Sequence, residues 1–187
     1  MHYGAIKYND IANGEGIRVS LFVSGCTNRC PNCFQKQTWD FEYGEPFTNE
    51  VEEKIIEGLS KSYIKGLTVL GGEPMEVENQ RALFPFLKRV REMFPEKTIW
   101  LYTGNTYEEL TSAPGVYKKA IDITQELINL VDILVDGRFI EEQKSLGLRF
   151  RGSTNQRIID IKKTNELGEI VLWEGARLDR TFVKEDN

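Results

Sequence analysis

Three cysteines and a single histidine are all the thiol and imidazole chemistry that this 187-residue chain contains. Three is an odd number, and all of them fall between Cys26 and Cys33, whereas a disulfide framework spreads an even number along the chain. No apolar run approaches the ~20 residues that cross a bilayer, so no membrane association is expected. Residues 1–10 are polar and contain no apolar signal core, which predicts a cytoplasmic rather than exported protein. Basic residues are in deficit, 24 Lys and Arg against 29 Asp and Glu, for a net charge of −5. A self-sufficient nucleic-acid binder shows the opposite balance. Repeats, low-complexity tracts and linkers are also absent. The length excludes a complete eight-fold α/β barrel, which needs roughly 250 residues, but accommodates a partial one.

What is present is an alternation of strand-like and helix-like segments. Residues 18–23 (R-V-S-L-F-V) read as a buried strand, and the cysteine loop follows directly. Val51, Ile55, Ile56, Leu59 and Tyr63 recur at helical spacing, with Asn49 and Glu52 placed as a capping pair and Gly66 as the stop. Residues 67–70 form a short apolar strand ending at Gly71-Gly72. A second helix carries Leu83, Leu87, Val90 and Phe94, and Pro85 requires its own place to be the first turn. A strand over 98–102 ends in Thr103-Gly104-Asn105. A helical stretch over 125–131 leads to a strand over 133–135 that ends in Asp136-Gly137. Residues 157–161 are a fifth strand and 170–173 a weaker sixth. Strands spaced near 30 residues apart with helices between them predict parallel βαβ units in a single domain over 1–187, with its core at about 10–161 and a C-terminal extension over 162–187. The cysteine loop, Gly71-Gly72-Glu73, Thr103-Gly104-Asn105 and Asp136-Gly137 all follow strands. They therefore converge on the C-terminal rim where parallel α/β folds bind ligands.

The cysteine loop reads S-G-C-T-N-R-C-P-N-C-F, giving candidate metal ligands Cys26, Cys30 and Cys33. Thiolates suit zinc, copper(I) and iron–sulfur clusters. A structural zinc takes four protein ligands, so it would need His2 or a carboxylate to complete the set. A four-iron cluster on three cysteines instead leaves one iron open to a small molecule. Three unrelated buried thiols are the remaining reading.

Gaps of three and two residues between cysteines resemble the motif of the radical S-adenosylmethionine superfamily. Asn13-Gly14-Glu15-Gly16, the run L-F-V-S-G-C, and Thr38-Trp39 narrow the resemblance to the activating components of anaerobic ribonucleoside-triphosphate reductases. The runs W-L-Y-T-G (100–104), D-I-L-V-D-G-R-F (132–139) and R-G-S-T-N-Q-R (151–157) resemble that family too, so the likeness spans residues 10 to 161. It implies an α/β fold, a partial (β/α) barrel of five to six mainly parallel strands of the radical S-adenosylmethionine type. It implies a 4Fe-4S cluster on Cys26, Cys30 and Cys33, with S-adenosylmethionine chelating the open iron. Gly71-Gly72-Glu73-Pro74 resembles the methionyl-binding turn, where glycines let the backbone approach and Glu73 accepts from the methionyl ammonium. Thr103, Asn105 and Asp136 are candidates for the carboxylate or ribose of the cofactor. An aromatic often precedes the third cysteine in the superfamily. Here Asn32 stands there and Phe34 follows, as in the reductase-activase branch, which assigns the adenine contacts to Asn32, Cys33 and Phe34.

The implied activity is that of an oxidoreductase. Reductive cleavage of S-adenosylmethionine gives methionine and a 5′-deoxyadenosyl radical, which takes a hydrogen from a glycine of the partner reductase. The implied partners are that anaerobic ribonucleoside-triphosphate reductase and a low-potential electron donor such as a flavodoxin. Three alternatives stay open. One is a small-molecule enzyme of the same superfamily, such as the 7-carboxy-7-deazaguanine synthases. Another is a formate-lyase activase, and the last is a non-catalytic interaction module stabilised by zinc. Residues 151–157 face the partner or ligand, or form a solvated strand edge. Trp39, Phe41 and Phe47 are core or cluster cover.

Overall fold

Residues 1–175 are described by the computed structural model, a mixed α/β fold around one sheet. Its strands are β1 (His2–Asp10), β2 (Ile17–Val23), β3 (Glu45–Pro46), β4 (Ile64–Gly71), β5 (Thr98–Tyr102), β6 (Ile133–Asp136) and β7 (Arg157–Asp160). Their order is β3-β1-β2-β4-β5-β6-β7. The four central strands β2, β4, β5 and β6 run parallel, as their spacing predicts. Both flanks are antiparallel, β1 against β2 and β3 on one side and β7 against β6 on the other. The expectation of five to six mainly parallel strands is thus corrected to seven strands with a parallel centre.

β1 is the element that apolar patterning misses. Its residues H-Y-G-A-I-K-Y-N-D are polar and largely exposed, so no apolar run marks it. Asp10 turns the chain into β2 by accepting from the Ala12 amide at 2.9 Å and from Asn13 Nδ2 at 2.6 Å, an Asx-type turn. The cysteine loop therefore follows the second strand, not the first.

Period-two alternation sorts β2 onto two faces. Val19, Leu21 and Val23 meet Leu67, Val69, Ile99, Leu101 and Leu134 under the helices. Those helices are α1 (Asn49–Ser60), α2 (Val77–Met93), α4 (Thr124–Asn129) and α5 (Ile161–Leu167), while the short α3 (Tyr107–Leu110) follows β5. On the other face Trp100 packs edge-on against Phe150 and Trp173, over Ile133, Val135 and Ile158.

Several boundaries differ from expectation for identifiable reasons. The α1 N-cap is Thr48, with Asn49 already helical, and Tyr63 lies beyond the helix, 47% exposed. Gly66 does not stop that helix but lies inside β4, where a Cβ would come within 1.8 Å of the Thr98 carbonyl oxygen on β5. Pro85 sits in the middle of α2, not in its first turn. Pro85 and Arg81, whose carbonyl loses its donor, both lie on the exposed side, so water can replace the missing bond. Ile161 begins α5 instead of ending β7. Residues 170–173 are no full strand: one bridge joins Leu172 to Ile159, with bonds from the Asp160 and Trp173 amides on either side. The extension expected over 162–187 is therefore packed onto the sheet as far as it is described, and residues 176–187 lie outside the described residues.

Candidate metal centre

A cavity of about 520 Å³ opens at the C-terminal ends of β2, β4, β5 and β6. Cys26, Cys30, Cys33, Phe34, Gly71, Gly72, Glu73 and Thr103 all line it. Motifs up to 77 positions apart in the chain, from Cys26 to Thr103, thus meet at one rim because parallel strands deliver their loops there.

The cysteine loop has its own local logic. Cys33 N donates to Cys30 O at 3.2 Å, closing a turn with Pro31 and Asn32 at its corners. Asn32 has φ +55°, the left-handed conformation that the third residue of a type II turn needs and that Asn tolerates. Asn32 is exposed and does not line the cavity, so what it supplies is the turn that brings Cys33 round to Cys30. Phe34 is at the mouth and 91% exposed.

All three cysteines are free thiols. Burial pushes the Cys26 thiol up to about 11, and burial together with the neighbouring Cys33 raises Cys30. Among the described residues, no three His, Cys, Asp or Glu side chains group closely enough to hold a single metal ion. In an iron–sulfur cluster each thiolate takes a different iron, so its thiols need not converge on one ion.

Gly71 and Gly72 serve the cysteine loop as much as any ligand. Gly71 has φ +113°, and a Cβ on Gly72 would stand 2.7 Å from the Gly25 carbonyl and 2.9 Å from that of Thr38. The amides of Gly72 and Glu73 donate to the carbonyls of Val23 and Gly25 at 2.7 and 2.9 Å, stitching the turn to the approach of Cys26.

Glu73 is fully buried and its carboxylate is saturated. Oε1 accepts from the Met75 amide at 2.9 Å and Thr103 Oγ1 at 2.7 Å. Oε2 accepts from Asn28 Nδ2 at 2.7 Å and the Gly104 amide at 2.8 Å. Burial pushes its carboxyl above the ordinary range, opposed by Lys119 and by these donors. Thr103 spends its hydroxyl proton on Glu73 and accepts from Asn105.

Asp136 is placed differently from the other candidates. It shares strand parity with Leu134, so it faces the helices. It is buried, accepts from the Tyr107 amide at 2.8 Å, and is gripped by Arg157, which also forks onto Glu108. Its carboxylate fixes the start of α3 and of β7 and does not line the cavity.

Trp39, expected as core or cluster cover, lies at the site, together with residues whose roles the sequence did not mark. Tyr102 and Trp39 line the cavity, and the Tyr102 hydroxyl and Trp39 indole nitrogen are buried without a hydrogen-bond partner. Buried Glu76 and Lys119 form a polar cluster behind the cysteine loop and bond its residues Thr27 and Asn28. Asn79 Nδ2 ties the Ser24 carbonyl to that of Glu73, at 2.9 Å each. A hint lay in Glu76, Asn79 and Gln80, polar residues at spacings of three and four on the stripe of α2 that Leu83 and Leu87 continue.

Comparison with known proteins completes the picture. A family profile described as a 4Fe-4S single cluster domain matches residues 12–159. The chain is 42% identical over 160 residues to the anaerobic ribonucleoside-triphosphate reductase-activating protein of Vibrio cholerae, covering 84% of this chain and 97% of that one. The chain belongs to the anaerobic ribonucleoside-triphosphate reductase-activating protein family. The Pasteurella multocida member is 40% identical, over 84% of this chain and 96% of its own length. The member from Escherichia coli K12 is 37% identical, over 83% and 96%. These relatives do not favour the small-molecule alternative or the zinc module. No helix among the described residues is long and apolar enough to cross a membrane.

Proposed function

We propose that this chain is a radical S-adenosylmethionine activase that installs a glycyl radical on an anaerobic ribonucleoside-triphosphate reductase. Cys26, Cys30 and Cys33 hold the 4Fe-4S cluster, and the remaining cavity receives S-adenosylmethionine. The observation that carries this reading is the meeting of three free thiols and the Gly71-Gly72-Glu73 turn on one cavity of about 520 Å³. The sheet is read as the partial barrel of that superfamily, and residues 1–187 as one domain.

A cluster held by Cys26, Cys30 and Cys33 would, with the sulfonium cofactor, supply one-electron carbon–sulfur cleavage and hydrogen-atom abstraction from a glycine of the reductase. The residues of this chain orient and enclose that chemistry. Gly71 and Gly72 keep side chains out of the space beside Cys26. Glu73 and Glu76 are two buried carboxylates with one buried ammonium, Lys119, between them. Lys7 and Arg151 line the cavity together with Glu73, so both signs of charge face a cofactor whose methionyl end carries an ammonium and a carboxylate. Because Glu73 is saturated, backbone carbonyls of the turn share its ammonium contacts. Tyr102 and Trp39 would bound the space for the cofactor, and Phe34 with Cys33 would flank its adenine. Asn32 and Asp136 act one step back, on the turn and on the rim loop. The physiological setting is the cytoplasm, with a flavodoxin-like electron donor and neither nucleic acid nor membrane as partner.

The test is to mix the anaerobically reconstituted, reduced protein with S-adenosylmethionine and the reductase, then record electron paramagnetic resonance. A glycyl-radical doublet on the reductase is expected. Cofactor cleavage without that doublet would contradict the assigned partner.

A further inference from the structure

Lys119 lies between α3 and α4, in a stretch with no apolar pattern, yet its side chain is only 2% exposed. Its ammonium stands 2.8 Å from Glu76 Oε1 and donates to Asn28 Oδ1 at 2.8 Å. Glu76 Oε1 also accepts from the amide and hydroxyl of Thr27, at 2.8 and 2.7 Å. Asn28 passes its own amide protons to Glu73. Thr27 and Asn28 are the two residues after Cys26, so a ring of bonds through one ammonium grips the loop between the first two thiols. The backbone of Lys119 is anchored in turn, its carbonyl accepting from Gln80 Nε2 at 2.7 Å. A buried ammonium is costly unless paired, and a lysine held here at that cost has a site to serve.

We propose that Lys119 is a positioning residue for the cysteine loop, and that its charge sets how readily the bound cluster accepts an electron. The inference rests on the cluster assignment made above and adds to it the residue that regulates that site. Two consequences separate it from a purely structural role. Reduction adds one negative charge to the cluster, and a fixed cation nearby in a poorly solvated interior favours the more negative state. Removing the cation must make reduction harder. Removing the negative charge of Glu76 must make it easier. Loss of order alone would move both variants the same way.

The experiment uses full-length wild type, Lys119→Gln, Lys119→Arg and Glu76→Gln, each reconstituted anaerobically with iron and sulfide. The readouts are the midpoint of a redox titration followed by electron paramagnetic resonance without S-adenosylmethionine, and the rate of iron loss to a chelator. Lys119→Gln is expected to shift the reduction equilibrium at least tenfold against reduction, about 59 mV for one electron, and to lose iron at least tenfold faster. Lys119→Arg stays within threefold of wild type in both. Glu76→Gln shifts the midpoint in the positive direction, and it carries the test by itself should Lys119→Gln fail to fold. A Lys119→Gln protein that matches wild type in midpoint or in iron retention overturns the inference, as does a Glu76→Gln midpoint unchanged or moved negative. A wild type that assembles no cluster overturns the proposed function itself, which a normal wild type with an inert Lys119 does not.

Discussion

On the helix-bearing face of the sheet, Val19, Leu21, Val69, Leu101 and Leu134 bury nothing but hydrocarbon against α1, α2 and α4. The same strands turn Arg18, Thr68, Trp100 and Tyr102 to the opposite face. There the bottom is closed by a guanidinium with five hydrogen bonds, to Thr68 Oγ1, Thr98 Oγ1 and the carbonyls of Glu15, Leu67 and Thr98, stacked over Trp100 at 5.5 Å. Burial lowers the pKa of Arg18 to about 10, which still leaves it cationic at neutral pH. The top of that face is open, polar and lined by the thiols. One face supplies stability by burial; the other is held by directional bonds that leave room at one end. Chemistry sits where the packing is incomplete.

That division can be broken from either side. Replacing Cys26, Cys30 or Cys33 by Ala is expected to abolish cluster assembly and S-adenosylmethionine cleavage while the melting curve of the cluster-free protein stays close to wild type. Iron and sulfide counts with calorimetry check it, and one fully active variant would remove that cysteine from the ligand set. Leu87→Ala, on the hydrocarbon face, is expected to do the reverse. It should lower unfolding free energy by about 2–5 kcal/mol, with iron per folded molecule unchanged in denaturant titrations and metal analysis.

A finer contrast lies within the rim. Glu73→Gln replaces an acceptor-only carboxylate by an amide that must turn one donor toward the donors around it. Cofactor affinity measured by calorimetry should fall at least tenfold. Asp136→Asn, on the helix side of β6, should leave affinity within threefold; a larger loss there would bring Asp136 back into the ligand set.

The smallest effect belongs to the exposed edge. Arg157 holds the Glu108 carboxyl at about 2, well below its ordinary 4.5. A depressed carboxyl contributes stability above its unfolded value and loses it as pH falls through the folded one. The stability difference between wild type and Glu108→Gln should therefore be constant at neutral pH and vanish between about 4.5 and about 2. Solvent screening keeps it below about 1 kcal/mol. A difference that grows on acidification would contradict the assignment.

Legibility followed burial. The strand Thr98–Tyr102 was readable to the residue because T-I-W-L-Y is apolar and bounded by turn formers. β1 was not, because a strand beside the sheet edge with exposed side chains has no need of hydrocarbon. Gly66 and Pro85 misled because each breaks a local rule that tertiary context supports, a close strand contact for one and a solvent-facing turn of helix for the other. In the site, the grouping of the three thiols was legible from their spacing, and the Gly71-Gly72-Glu73 turn from its place at the end of a strand. The helix-side position of Asp136 was implicit in its parity with Leu134, a periodicity that strand-end reasoning overlooks. Lys119 left no trace, since a lysine in Y-K-K-A looks solvated until the fold closes over it.

The sharpest single test reads the reduced, reconstituted protein by electron paramagnetic resonance before and after adding S-adenosylmethionine. A three-thiolate cluster with a free coordination site predicts a four-iron signal whose g-values shift when the cofactor binds. A signal indifferent to saturating cofactor, or reconstituted protein with zinc and no iron, would contradict the account.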